Sequence, residues 1–169
     1  MDPDEVDHVV AAWCSQRPDL AVDSMHVWSR IHRLSALLDT HRKRCFSDRG
    51  LEAWEFDVLA ALRRAGAPHQ LSPGQLLAQT HVTSGTMTHR IDRLKGRGLV
   101  TRLRNPEDGR GALVELTVQG RELVDDAIGA LIALEESLLG EWAPEERDAL
   151  AGLLRRLLGD AVDREPVHD

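Results

Sequence analysis

The most constraining feature of this chain is a single change of hydrophobic period, at Gly98. Before it, apolar residues recur every three or four positions, which gathers them on one face of a helix. After it they alternate, as in a half-buried strand. Ser72-Pro73-Gly74-Gln75 opens a short helix running to about Gln79, with Ser and Gln placed for a capping box and Pro at the first helical position. After a short connector, a second helix begins near Thr83-Ser84, carries Met87, Ile91 and Leu94 on its apolar side and stops at Gly96-Arg97-Gly98. Residues 99–104 then read as a strand, Asn105-Pro106-Glu107-Asp108-Gly109-Arg110 as a turn, and 112–116 as the returning strand. Two tightly joined helices followed at once by a hairpin make a winged helix-turn-helix.

Helices flank this unit on both sides. Residues 4–16 form a short one, with Val6, Val9, Val10 and Trp13 near helical spacing and Pro18 as its end. Ser24 is placed to cap the next, which runs to about Cys45 with Val27, Ile31, Leu34, Leu37 and Leu38 in one stripe. A third carries Trp54, Val58, Leu59 and Leu62 and stops at Gly66. Thr117 can cap a long helix striped with Val124, Ile128, Leu131, Leu134 and Leu138. Ala143-Pro144-Glu145-Glu146 restarts a final one bearing Leu150, Leu153, Leu154, Leu157 and Leu158. The expected fold is mainly α with a small β-wing: a winged helix-turn-helix flanked by N- and C-terminal dimerisation helices in one intertwined domain. Residues 1–20 hold the extra helix, 21–50 and 117–162 the dimerisation helices, and 51–116 the DNA-binding region. The leucine-striped flanks need a partner surface.

The formal net charge is −7, from 21 Lys and Arg against 28 Asp and Glu, a poor match for nucleic acid if spread evenly. It is not even: residues 1–60 carry −4, residues 61–104 carry +7, and residues 105–169 carry −10. Local charge governs contact with phosphate, so the basic middle remains a candidate DNA face. No apolar run approaches the length of a membrane span, and the N-terminal MDPDEVD is acidic where a secretory signal is basic, so a cytoplasmic protein is expected. Cys14 and Cys45 give neither a disulfide framework nor a zinc spacing; Cys45 lies beside Arg42, Lys43 and Arg44, which leaves redox sensing open. Eight scattered histidines lack the spacing of a metal site. Neither a nucleophile motif nor a phosphate-cradling glycine loop is present, so no enzyme, metal or cofactor is expected.

A helix entering the major groove must present small and polar side chains near its start, because bulky ones hold the backbone away from the base edges. Thr83, Ser84, Thr86, Thr88 and His89 occupy that stretch, with Arg93 further along and Arg104 at the end of the first wing strand. Arg110 on a thin hairpin suits a narrow minor groove, and Asp108 can hold its guanidinium. The partner is therefore expected to be double-stranded DNA.

Four runs together resemble the MarR family of bacterial regulators: Ser84-Gly85-Thr86-Met87-Thr88-His89-Arg90-Ile91-Asp92-Arg93-Leu94, Gly98-Leu99-Val100-Thr101-Arg102, Asp108-Gly109-Arg110 and Leu116-Thr117-Val118-Gln119-Gly120. The likeness extends over about residues 27–159. It implies a homodimer that binds a pseudo-palindromic operator and represses, with recognition helices about one DNA turn apart. The extra helix bearing Trp13, followed by Pro18-Asp19-Leu20, resembles the family's urate-responsive subfamily. That resemblance implies a ligand site at Trp13, Asp57, Arg90 and Arg102 for a small anionic effector, urate or a related compound. An indole offers a face and an N–H to a planar anion, and a guanidinium offers a fork. If Asp57 pairs with Arg102, its repulsion by the anion would pull on the wing strand. Xanthine, a tricarboxylate, a phenolic compound or cysteine oxidation remain alternative signals, and a helical adaptor that does not bind DNA is the alternative from another class.

Overall fold

The computed structural model describes residues 2–80, 82–104 and 111–163. The wing tip, and with it Asp108 and Arg110, lies outside the described residues. The elements are α1 (Glu5–Gln16), α2 (Met25–Ser47), α3 (Ala53–Arg64), β1 (Gln70–Leu71), α4 (Pro73–Thr80), α5 (Ser84–Gly96), β2 (Val100–Arg104), β3 (Ala112–Leu116), α6 (Val118–Leu139) and α7 (Pro144–Val162). They divide into two compact units, residues 1–131 and 132–169.

In the first unit, α1 is capped by Asp4, whose Oδ1 accepts from the N–H groups of Val6 and Asp7, while the Asp7 carboxylate accepts from the Asp4 N–H. Val6 and Val10 are buried with Val22, and Met25 packs against them. Arg30 donates to both Asp4 and Asp7, and Arg33 to Glu5. Arg30, with the Asp4 backbone, holds the Asp7 carboxyl down to about 2. These contacts pair the start of α1 with residues 30–33 of α2 and its middle with Val22, so α1 runs back along the first half of α2. Ser24 is not the cap expected of it. Its own backbone is already helical and its side chain makes no cap bond. The Met25 and His26 N–H groups instead donate to the carbonyls of Val22 and Asp23, so a preceding turn starts the helix.

The main core lies between α3, α4, α5 and the sheet. Phe46 stacks on Phe56 with ring centroids 4.3 Å apart. Val58, Leu59, Leu62, Leu76, Met87, Ile91, Leu94, Val114 and Val124 are fully buried around them. Each such Leu or Phe contributes about 1.5–3 kcal/mol relative to exposure, which holds the short helices that would not persist alone. The capping box of α4 forms: the Ser72 N–H donates to Gln75 Oε1 at 2.8 Å, and the Gln75 N–H to Ser72 Oγ at 3.2 Å. The sheet has three antiparallel strands in the order β1-β3-β2. The hairpin register sets Val100 opposite Leu116 and Arg104 opposite Ala112. The third strand, β1, pairs Gln70 with Glu115 and Leu71 with Val114; two residues are too short to show alternation in sequence.

The junction between wing and α6 is tight. The Thr117 N–H and hydroxyl both donate to the Leu99 carbonyl, and Thr117 Oγ1 accepts from the Gly120 N–H. A Cβ on Gly120 would sit 2.1 Å from the Leu99 carbonyl oxygen and 3.0 Å from Leu116 Cδ1. Glycine is required there because two backbones approach each other, not because of its dihedrals.

The second unit consists of the end of α6 and α7. Gly140, at φ 57°, turns the chain between them. Arg147 donates to Glu136 at 2.6 Å and to the carbonyls of Gly140 and Trp142, and the Ala143 N–H donates to Glu146. Leu153, Leu154, Leu158 and Val162 of α7 are exposed, as are Val27, Trp28, Leu34 and Leu37 on α2 in the first unit. Gly120→Ala should destabilise the protein by about 3 kcal/mol, the upper range of overpacking costs. A urea titration followed by circular dichroism checks this; an unchanged midpoint would contradict the close approach.

Candidate nucleic-acid interface and effector cleft

Helix α5 has two unlike faces. Met87, Ile91 and Leu94, spaced by four and three residues, are fully buried. Ser84, Gly85, Thr86, Thr88 and His89 are exposed on its first two turns. Thr83 is the N-cap: its hydroxyl accepts from the Thr86 N–H and lies 2.9 Å from the Thr86 hydroxyl. The remaining N–H groups of the first turn and the positive end of the helix dipole face outward, an arrangement that suits phosphate. Arg104, at the end of β2, is also exposed. These positions are those the sequence marks for DNA.

The C-terminal part of α5 is held by α3. Arg97 donates to the carboxylate of Glu55 and to the Gly50 carbonyl. Glu55 is 1% exposed, and among the described residues its other oxygen accepts from no group. One turn back, Arg93 donates to Glu52 and lies over the Trp54 ring, 4.9 Å from its centroid. Arg90 lies over the same ring at 5.4 Å. The Trp54 indole N–H donates to Glu52 at 2.7 Å, fixing the ring; that bond and Arg93 keep the Glu52 carboxyl below its ordinary range. This clasp was not singled out in sequence, although Arg90, Arg93 and Arg97 recur at helical spacing opposite Glu52 and Glu55.

Beside the clasp, Lys43 and Ser47 of α2 and Glu52, Trp54 and Asp57 at the start of α3 line an open cleft of about 560 Å³. Asp57 keeps an exposed edge, yet the partial burial of its carboxyl pushes it above the usual value. The charges of Arg42, Arg90 and Arg64 pull the other way without overcoming that. Asp57 and Arg90 thus share one neighbourhood. Arg102 does not pair with Asp57: its guanidinium lies 3.2 Å from Asp92, which projects from α5 toward β2. Trp13 is 47% exposed on α1. It lies beside the start of α2, whereas the cleft is at its end, and Met25 and Lys43 are about 27 Å apart at 1.5 Å per residue. Within one chain, Trp13 does not meet Asp57 and Arg90.

Residues 49–111 match the MarR family profile. The HTH-type transcriptional regulator PecS of Dickeya dadantii is 36% identical over 153 residues, covering 90% of this chain and 92% of PecS. This chain belongs to the MarR family. The multiple antibiotic resistance protein MarR of Escherichia coli is 31% identical, covering 76% of this chain and 88% of that protein. Among solved structures, Bordetella bronchiseptica BpsR, whose DNA binding is regulated by 6-hydroxynicotinic acid, is 30% identical with TM-score 0.67, covering 82% of this chain and 96% of BpsR. Sco3205 of Streptomyces coelicolor, solved with DNA, shares the fold at TM-score 0.72 and 23% identity, over 89% of this chain and 95% of that one. The MarR-family chain is a DNA-binding transcriptional regulator and not an enzyme, and the adaptor alternative falls with that assignment. Among the described residues, no helix is long and apolar enough to cross a membrane.

The raised Asp57 carboxyl has a stability consequence. Below the unfolded value, Asp57 is protonated in both states and costs nothing; as pH rises, the folded state holds its proton longer, so stability falls. Asp57→Asn should therefore raise the urea midpoint at pH 7, with the gain fading below about pH 4. An equal gain at both pH values would contradict the assignment.

Proposed function

We propose that this MarR-family regulator is a cytoplasmic homodimeric repressor released from its operator by urate or a similar small planar anion. The observation that carries the reading is Arg90. It belongs to the helix that presents Thr83, Ser84, Thr86, Thr88 and His89, and it lies over Trp54, which lines a cleft together with Asp57. A ligand that engages Arg90 therefore acts on the DNA-reading helix directly. Asp57, already costly as an anion, is repelled further by a second negative charge, which adds to the shift. The regulation of BpsR by 6-hydroxynicotinic acid supports a planar aromatic acid as the ligand class.

In this reading residues 51–116 bind DNA, with Arg104 on phosphate and Asp108 and Arg110 among the contacts. Arg102 ties the wing strand to α5 through Asp92 rather than to α3. A second copy covers the exposed apolar residues of α2 and of α7, since patches of that kind on a regulator's helices mark association surfaces. Residues 1–20 add α1, and Trp13, distant from the cleft in its own chain, reaches an effector only from the second copy.

The test is a gel shift of the full-length protein on DNA upstream of its own gene. Addition of urate to low millimolar concentration should release the DNA, and Arg90→Ser should blunt that release. Retention of the complex at millimolar urate would contradict urate as effector; light scattering at the mass of one chain would contradict the dimer.

A further inference from the structure

We propose that Trp54 is an effector-contact residue, the aromatic surface on which a planar anion stacks within one chain. The proposal deepens the effector reading above and rests on it. Of the tryptophans, Trp54 lines the cleft that holds Asp57, while Trp13 stands at the other end of α2. The indole is already oriented: its N–H is committed to Glu52, so its π-surface, rather than its polar edge, is what it offers. The cleft volume, about 560 Å³, is within the range of small-molecule sites. Lys43 on its wall and Arg42 close to Asp57 supply positive charge, offsetting the two carboxylates for an incoming anion.

The two arginines over Trp54 differ. Arg93 is also paired with Glu52, so the ring is its second partner. Arg90 has the ring and, at longer range, the charge of Asp57. A guanidinium gains more from a charged hydrogen-bonding partner than from a ring face. A planar anion stacked on Trp54 therefore replaces the ring as the partner of Arg90, while Arg93 and Arg97 keep their carboxylates. Helix α5 would then be loosened in its middle and held at its end, a rotation rather than a detachment.

Isothermal titration calorimetry of the full-length protein with urate, xanthine and 6-hydroxynicotinate tests this. Trp54→Leu should weaken binding by about tenfold or more, and Trp54→Phe, which keeps a ring face, by less than about threefold. Because Trp54→Leu removes a packed ring and can fail to fold, fluorescence gives an independent reading: Trp54→Phe should reduce the ligand-induced change in tryptophan emission. Unchanged affinity in a folded Trp54→Leu, or an unchanged emission response in Trp54→Phe, would overturn the proposal. Wild-type protein that binds none of the three anions would overturn both this proposal and the effector reading. Binding that depends on Trp54 while operator DNA stays bound would support the contact and overturn only the release mechanism.

Discussion

The ion pair between buried Glu55 and Arg97 is the constraint on which the placement of α5 depends. A carboxylate taken from water is expensive unless paired, so α5 cannot leave α3 at this end without exposing that cost. Arg93 on Glu52 and Arg90 over Trp54 extend the same contact by successive turns. The N-terminal turns of α5, with their hydroxyls and unpaired N–H groups, are left projecting from a fixed base. One end of the helix is therefore held, and the other is the end proposed to read DNA. Arg90 sits where the two meet, beside the cleft.

The same contacts revise the meaning of charge in this chain. Residues 61–104 carry +7 in sequence, but Arg63, Arg93, Arg97 and Arg102 are ion-paired, three of them with acids from outside that segment. The acids are Asp125 on α6, Glu52 and Glu55 at the start of α3, and Asp92 on α5 itself. Much of the apparent excess binds the domain together. The charge left for phosphate is smaller and more localised, which favours contact at a few positions over indiscriminate attraction.

What was legible in the sequence was local. The period change at Gly98, the Ser72–Gln75 box and the apolar spacing of Met87, Ile91 and Leu94 all depend on neighbours within a turn or two, and the structure has them. What was missed depends on distant segments. Strand β1 exists only because β3 offers an edge to Gln70 and Leu71. The clasp joins residues about forty positions apart, and nothing in the composition of α3 or α5 announces which arginine meets which carboxylate. Arg102 took Asp92 because β2 packs alongside α5, a fact of packing that residue types alone do not encode. Ser24 lost its capping role for the opposite reason: the turn before it had already begun the helix.

Amide hydrogen exchange on the full-length protein, with and without urate, measures most directly whether ligand charge becomes movement of α5. The mechanism predicts faster exchange along α5 and β2 on ligand addition, with α7 unchanged. Protein that binds urate while α5 exchanges at its ligand-free rate would contradict it.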